Sequence, residues 1–203
     1  MKQGTKEWHD IRCGRITASR IGDIMKKLKS GGYGAGHRNY VAELVAERLT
    51  GEPADSFTNA AMQWGTDTEP QARSAYEFEK DVEVEEIGFV KHPDIEMAGC
   101  SPDGLVGDDG LVEIKCPKTA THIDTLRGSK IKKSYLLQMQ WQMACTGRKW
   151  CDWVSYDPRM PLELSLFIKR VKRSDKKIKE MESEVRAADK EVDSIIEELK
   201  EKK

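Results

Sequence analysis

Apolar residues in this chain follow two periods, and the switch between them outlines its elements. From Ser174 onward they step by three and four, through Ile178, Met181, Val185, Ala188, Val192, Ile195 and Leu199, which predicts one charged helix with a heptad seam. That seam must be buried, either on its own domain or between subunits. Trp8 and Ile11 mark a short helix with Thr5 as N-cap and Gly14 at its end. Ile21, Ile24, Met25 and Leu28 trace a second helix, with Thr17 as its cap. Tyr40, Val41, Leu44, Val45 and Leu49 trace a third, which stops at Thr50-Gly51. Further helices are predicted at about 58–79, interrupted or bent near Gly65 and Pro70, and at 119–127 and 132–146. The period shortens to two over 82–90, where acids alternate with branched residues, and strands are predicted there and at 102–107, 111–116, 151–157 and 163–171. This order predicts an α/β domain over 1–173, a central mixed sheet of about five strands flanked by helices, followed by the 174–203 helix.

Composition adds limits. The 203 residues suffice for one domain with a substantial core. With no apolar run near 18 residues, a cytoplasmic protein without membrane contact is expected. The five cysteines are odd in number and lack a Cys-x-x-Cys pair, which favours buried reduced thiols over a metal cluster. The net charge of −1 argues against an indiscriminate nucleic-acid coat, but the charge is segregated. Residues 1–30 carry eight Lys/Arg against three Asp/Glu and 115–150 carry eight against one, whereas 31–114 carry five against eighteen. Basic surface along a duplex with carboxylates at one centre fits an enzyme acting on DNA better than uniform basicity does. The glycine-rich stretch 30–36 lacks Gly-Lys-Ser/Thr, so it gives no support to nucleotide binding.

The stretch GCSPDGLVGDDGLVEIKCP, 99–117, carries the chemistry. Its two runs flank Asp-Asp-Gly and read as a hairpin, with Glu113 and Lys115 on one face. A two-residue loop at Asp109-Gly110 pairs Asp103 with Cys116 and turns it to the opposite face. A three-residue loop at 108–110 pairs Asp103 with Lys115 and gathers the three groups, as does an Asp103 lying before the strand and aimed by Pro102. Two carboxylates beside an ammonium suit Mg²⁺-assisted phosphodiester hydrolysis, in which hard oxygens hold the ion and the lysine, its pKa lowered by burial, orients or helps deprotonate water.

Pro102-Asp103 followed by Glu113-Ile114-Lys115 resembles the PD-(D/E)xK nuclease motif, and SPDGL…LVEIKCP resembles the phage lambda exonuclease, YqaJ-type branch. Other blocks resemble that family in the same order: WHDIR at 8–12 with ITAS at 16–19, Trp64-Gly65 before Glu69, QMQ at 138–140, and YDPRM at 156–160. The resemblance implies a restriction-endonuclease-like fold. It also implies Asp103, Glu113 and Glu69 as metal-binding carboxylates with the Ile114 carbonyl, Lys115 and Gln138 as further active-site groups, and two Mg²⁺ ions that Mn²⁺ replaces. Arg12, Ser19 and Ser101 match the positions that hold a terminal 5′-phosphate. A further family arginine corresponds to Thr121 here, leaving Lys118 or His122 to substitute. The implied activity is 5′→3′ digestion of double-stranded DNA from its ends, leaving 3′ single strands for recombination. A homotrimeric ring, a single-strand annealing partner and a phage or prophage origin in a bacterial cell come with it. The rivals are an endonuclease of the same fold and a non-catalytic DNA-binding protein.

Overall fold

The computed structural model describes residues 1–28, 30–54 and 59–202. The chain forms α1 (Lys6–Arg12), β1 (Ile16–Thr17), α2 (Ile21–Ile24), α3 (Ala35–Thr50), α4 (Ala60–Lys80), β2 (Val84–Glu85), β3 (Val90–Lys91) and β4 (Ala98–Cys100). Then come β5 (Gly104–Val106), β6 (Gly110–Lys115), α5 (Thr119–Leu126), α6 (Lys133–Thr146), β7 (Trp150–Tyr156), β8 (Leu166–Lys172) and α7 (Asp175–Glu201).

The central sheet is five-stranded and mixed, in the order β2-β5-β6-β7-β8, with β6 and β7 parallel and the other neighbours antiparallel. Alternation along β6 divides its two faces. Val112 and Ile114 join Ala72 and Tyr76 of α4, while Leu111 joins Met139 and Met143 of α6. A smaller sheet, β1-β4-β3, packs with α2, α3, α6 and α7 around a separate core. Helix α6 therefore contacts two cores, which is why its sequence is apolar on more than one side. Helix α7 buries Ile178, Met181, Val185, Ala188 and Val192 against the small-sheet core of the same chain. Arg48 of α3 reinforces this contact with bonds to Asp189 and Asp193. The seam from Ile178 to Val192 is thus buried within one subunit, while Leu199 at its end is exposed.

Four sequence expectations change. The 82–90 strand is two short strands in different sheets: β2 pairs with β5 and β3 with β4. Alternation specifies two faces but no partner, so the chain can leave one sheet for the other without disturbing the pattern. The helix at 58–79 runs unbroken through Gly65 and Pro70, starting from an Asn59 side chain that caps Ala61 and Met62. Its packing on the sheet through Ala72 and Tyr76 outweighs the one backbone bond that Pro70 removes. Thr17 lies in β1 and makes no cap bond, and a 3₁₀ turn at Ala18–Arg20 precedes an α2 of only four residues. Finally, only Cys100, Cys145 and Cys151 are buried, whereas Cys13 and Cys116 are partly exposed.

The β5–β6 hairpin adopts neither register read from the sequence. Gly104 pairs with Val112, Leu105 with Leu111 and Val106 with Gly110, so the three-residue loop is Gly107-Asp108-Asp109. Gly107 takes a φ of +51°, which suits a residue without Cβ. Gly110 lies inside β6, where a Cβ would stand 2.1 Å from the Trp150 ring. Arg148 clamps the turn by donating to the carbonyls of Val106, Gly107 and Gly110 at 3.4, 2.5 and 2.8 Å. The cross-strand position opposite Glu113 is therefore that of Asp103, which lies just before β5.

Candidate active site

Asp103, Glu113 and Lys115 come together at this end of the hairpin. Asp103 continues the hairpin with its side chain: Oδ2 accepts the Ile114 N–H at 2.7 Å, where a strand partner would otherwise stand. The N–H and C=O of one extended residue point to the same edge, so the Ile114 carbonyl faces Asp103 and not β7. Glu113 is fully buried beneath α6. Its Oε2 accepts from Gln142 Nε2 at 2.6 Å, and its Oε1 meets the Lys115 ammonium as an ion pair without a hydrogen bond of good geometry.

The local field is dominated by this carboxylate pair. Burial pushes Asp103 well above the usual carboxylate range and the neighbouring Glu113 adds to it, against the pull of Lys115. Burial alone would lower Lys115, but Glu113 and Asp103 outweigh it and hold the ammonium above its ordinary value. Its two carboxylates thus favour the ammonium form of Lys115. Glu69 sits in the middle of α4, raised by burial and opposed by Arg73, whose guanidinium bonds it at 2.8 Å. The same Arg73 reaches Glu86 at 2.7 Å.

These donors suit a hard divalent cation. All are oxygens, two are carboxylates whose mutual repulsion a cation relieves, and Glu113 Oε1 is a buried acceptor without a hydrogen bond. Among the described residues no three acidic, histidine or cysteine side chains form a ready cage. The best-formed candidate is Asp103 and Glu113 with the Ile114 carbonyl. Glu69 lines the same cleft with one oxygen bonded to Arg73.

Glu69 and Lys115 line an open cleft of about 1080 Å³, together with Trp64, Lys118, Tyr135 and Arg159. Arg159 stacks over the Trp64 ring at 4.5 Å, held by the fully buried Asp157, and so places a cation on the cleft wall. Lys115 and Lys132 lie over Tyr135 at 5.5 and 5.7 Å.

Next to the hairpin lies a second cluster. Ser101 Oγ accepts from Trp8 Nε1 at 2.9 Å and from Arg12 Nη1 at 3.2 Å, and the Arg12 guanidinium stacks on Trp8 at 4.1 Å. Burial lowers the Arg12 pKa, and among the described residues no carboxylate forms a salt bridge with it. Ser19 is exposed, with Oγ 3.4 Å from Thr17 Oγ1. The parallel pairing of Thr17 with Gly99 carries Ser19 and Ser101 to the same end of the small sheet. Two of the three residues matched to phosphate binding are in contact, and the third stands at the same sheet end. Of the two proposed substitutes at Thr121, His122 is fully buried, with Nδ1 on Ser155 Oγ and Nε2 on the Leu164 carbonyl, both at 2.8 Å. Only Lys118 is exposed to the cleft.

Sequence reading missed three residues. Trp8 was legible, because Trp8 and Arg12 are four apart on α1 and share a face. Gln142 and Arg148 were not, since each acts on a segment about thirty residues or more away. Gln138 lies one turn before Gln142 on α6, partly exposed, and it is Gln142 that reaches Glu113.

Residues 7–149 match the family described as the YqaJ-like viral recombinase domain. The chain belongs to that family. A solved alkaline exonuclease, LHK-Exo from Laribacter hongkongensis, is 50% identical, with a TM-score of 0.90 over 98% of this chain and 97% of its own. Its complex with dAMP superposes with a TM-score of 0.91 over the same shares at 50% identity. A phage-related exonuclease from Haemophilus somnus 129PT, at 20% identity, shares the fold with a TM-score of 0.75 over 91% of this chain and 96% of that one. No curated protein sequence matches this chain. The family and these structures bear out the α/β nuclease fold with its mixed sheet between helices.

Proposed function

We propose that this protein is a Mg²⁺-dependent deoxyribonuclease that degrades double-stranded DNA from 5′ ends and leaves 3′ single strands for annealing-type recombination. The observation that carries the reading is the hairpin register, which sets Asp103 on the Ile114 N–H beside the buried Glu113–Lys115 pair at the cleft. Support for exonuclease action comes from the 50% identical protein, which is named an alkaline exonuclease and was solved with dAMP, a nucleoside monophosphate.

The residues divide the work. Asp103, Glu113 and the Ile114 carbonyl hold one Mg²⁺ or Mn²⁺, and Glu69, released from Arg73, helps hold a second. When bound, the metal supplies Lewis acidity at the phosphate and an acidified water. Lys115, kept cationic by its two carboxylates, orients that water and offsets charge on the phosphorane oxygens. Gln138, partly exposed one turn before Gln142 on α6, orients the same groups. Water oxygen bonds to phosphorus, the bond to the 3′ oxygen breaks, and a 5′-mononucleotide departs. Arg12, Ser101 and Ser19 bind the terminal 5′-phosphate and set the scissile bond at the metal. Lys118, Lys132 and Arg159 line the DNA path.

The deciding experiment incubates linear duplex and covalently closed circles with the protein, with Mg²⁺ or with EDTA. Linear duplex is expected to disappear only with Mg²⁺, while the circle survives. Cutting of the circle would make the protein an endonuclease; binding of both without loss of either would make it a non-catalytic DNA-binding protein.

The family resemblance extends the proposal to a homotrimeric ring that threads the duplex and works with a single-strand annealing protein. Sedimentation at micromolar concentration, where weak complexes dissociate, should then give roughly three times the 23.0 kDa chain mass. Because α7 buries its seam on its own subunit, removing 174–203 is expected to unfold the small-sheet core and not simply to separate subunits. A folded monomer from the full chain would remove the ring.

A further inference from the structure

Gln142 is a fully buried amide whose contacts do not repay its burial. Helix α6 buries eight side chains from Leu137 to Cys145, and only Gln140 and Gln142 among them are amides. Gln140 ties backbone together: Nε2 donates to the Lys172 carbonyl and Oε1 accepts from the Ser174 N–H, both at 2.8 Å. Gln142 does nothing of this kind. Its Nε2 donates to Glu113 Oε2 at 2.6 Å, while its Oε1 is sealed from solvent with no partner. Methionine would fill the same space between Met139 and Met143 without leaving an acceptor unmet, so packing does not account for an amide here.

We infer that Gln142 is a positioning residue for Glu113, a role that rests on reading Asp103 and Glu113 as the divalent-metal site. By taking Oε2, the amide fixes the plane of the carboxylate and leaves Oε1, sealed from solvent beside Lys115, as the oxygen without a hydrogen bond. The position calls for a neutral donor. A lysine or arginine would put a second cation beside Lys115 and oppose the metal, and a glutamate or methionine has no proton to give. Gln142 thus presents Glu113 to the metal through a single oxygen.

The test is Mn²⁺ binding to the intact protein, read by the electron paramagnetic resonance of unbound Mn²⁺, alongside kinetics on linear duplex. Gln142→Met is expected to weaken Mn²⁺ binding about tenfold or more, the usual effect of removing a hydrogen bond that orients a metal ligand. The apparent Mg²⁺ requirement of kcat should rise, KM for DNA should stay near the wild-type value, and high Mg²⁺ should recover much of the rate. Where the methionine variant does not fold, Gln142→Asn replaces it, since the shorter amide keeps polarity but falls short of Glu113. Wild-type Mn²⁺ affinity in either folded variant overturns the role. Glu113→Gln serves as the reference: if it binds Mn²⁺ as well as wild type, the metal-site reading itself fails. If it loses binding while Gln142→Met does not, only the positioning role falls.

Discussion

Asp103→Asn and Glu113→Gln are each expected to lower Mg²⁺-dependent degradation of linear duplex about a thousandfold or more. Each removes a charged oxygen ligand while keeping shape, and a metal's several kcal/mol of transition-state stabilisation corresponds to about three decades at ~1.4 kcal/mol each. The amides preserve the local bonds: the side-chain carbonyl left by Asp103→Asn would still accept the Ile114 N–H, and the one left by Glu113→Gln would still accept from Gln142. Stability without metal should move the other way for Asp103→Asn. The folded protein raises the Asp103 pKa by burial and by the nearby Glu113, so the charged form is disfavoured on folding. The sign follows: that carboxyl costs no stability below its unfolded pKa and costs more as pH rises through the window up to the folded value. At neutral pH in EDTA, Asp103→Asn should therefore melt no lower than wild type, while Mg²⁺ should raise the melting temperature of wild type only. Retained turnover in both variants, or equal Mg²⁺ stabilisation of Asp103→Asn and wild type, would remove these residues from the metal site.

Linear duplex bearing 5′-phosphates is expected to be degraded at least about tenfold faster than the same duplex with 5′-hydroxyls, with charge-assisted hydrogen bonds of ~1.5–3 kcal/mol to the terminal phosphate as the source. The surroundings of Arg12 suit such a ligand. It is partly buried, stacked on Trp8 and bonded to Ser101, with no carboxylate partner among the described residues. A buried guanidinium without a counter-ion is costly, and a phosphate dianion supplies the missing charge. Arg12→Ala should slow the phosphorylated substrate most and bring the two rates together. Thr121 takes the place of a further family arginine, and His122 is occupied by Ser155 and the Leu164 carbonyl, so of the two substitutes read from the sequence only Lys118 is exposed. End-labelled duplex should lose its 5′ label first. Loss of the 3′ label first, or equal slowing of both substrates by Arg12→Ala, would exclude this pocket while leaving the metal chemistry intact.

Much of this was legible in the residues themselves. A period of three to four fixed α7 and its apolar seam, a period of two placed Glu113 and Lys115 on one face of a strand, and Thr5 as N-cap set the start of α1. Those signals are local: dihedral preference and side-chain direction depend on neighbours a few residues away. They left the approach of Asp103 to Glu113 and Lys115 open, because a two-residue loop would have turned Asp103 to the opposite face.

What a local pattern specifies is a face, not a partner, and the remainder was decided by partners distant in the chain. The hairpin register follows from Arg148 on the turn carbonyls and from Trp150 beside Gly110. Strand 82–90 divides because β5 and β4 offer separate edges. The seam of α7 closes on its own subunit because α3 and the small sheet present a matching core. Gln142 meets Glu113 from 29 residues away, and Lys115 is held as an ammonium because its two carboxylates outweigh its burial. Residue order alone thus named the candidate groups and the face that Glu113 and Lys115 share. Which of them touch, and with what charge, came from packing, since hydrogen-bond geometry and desolvation exist only once distant segments have met.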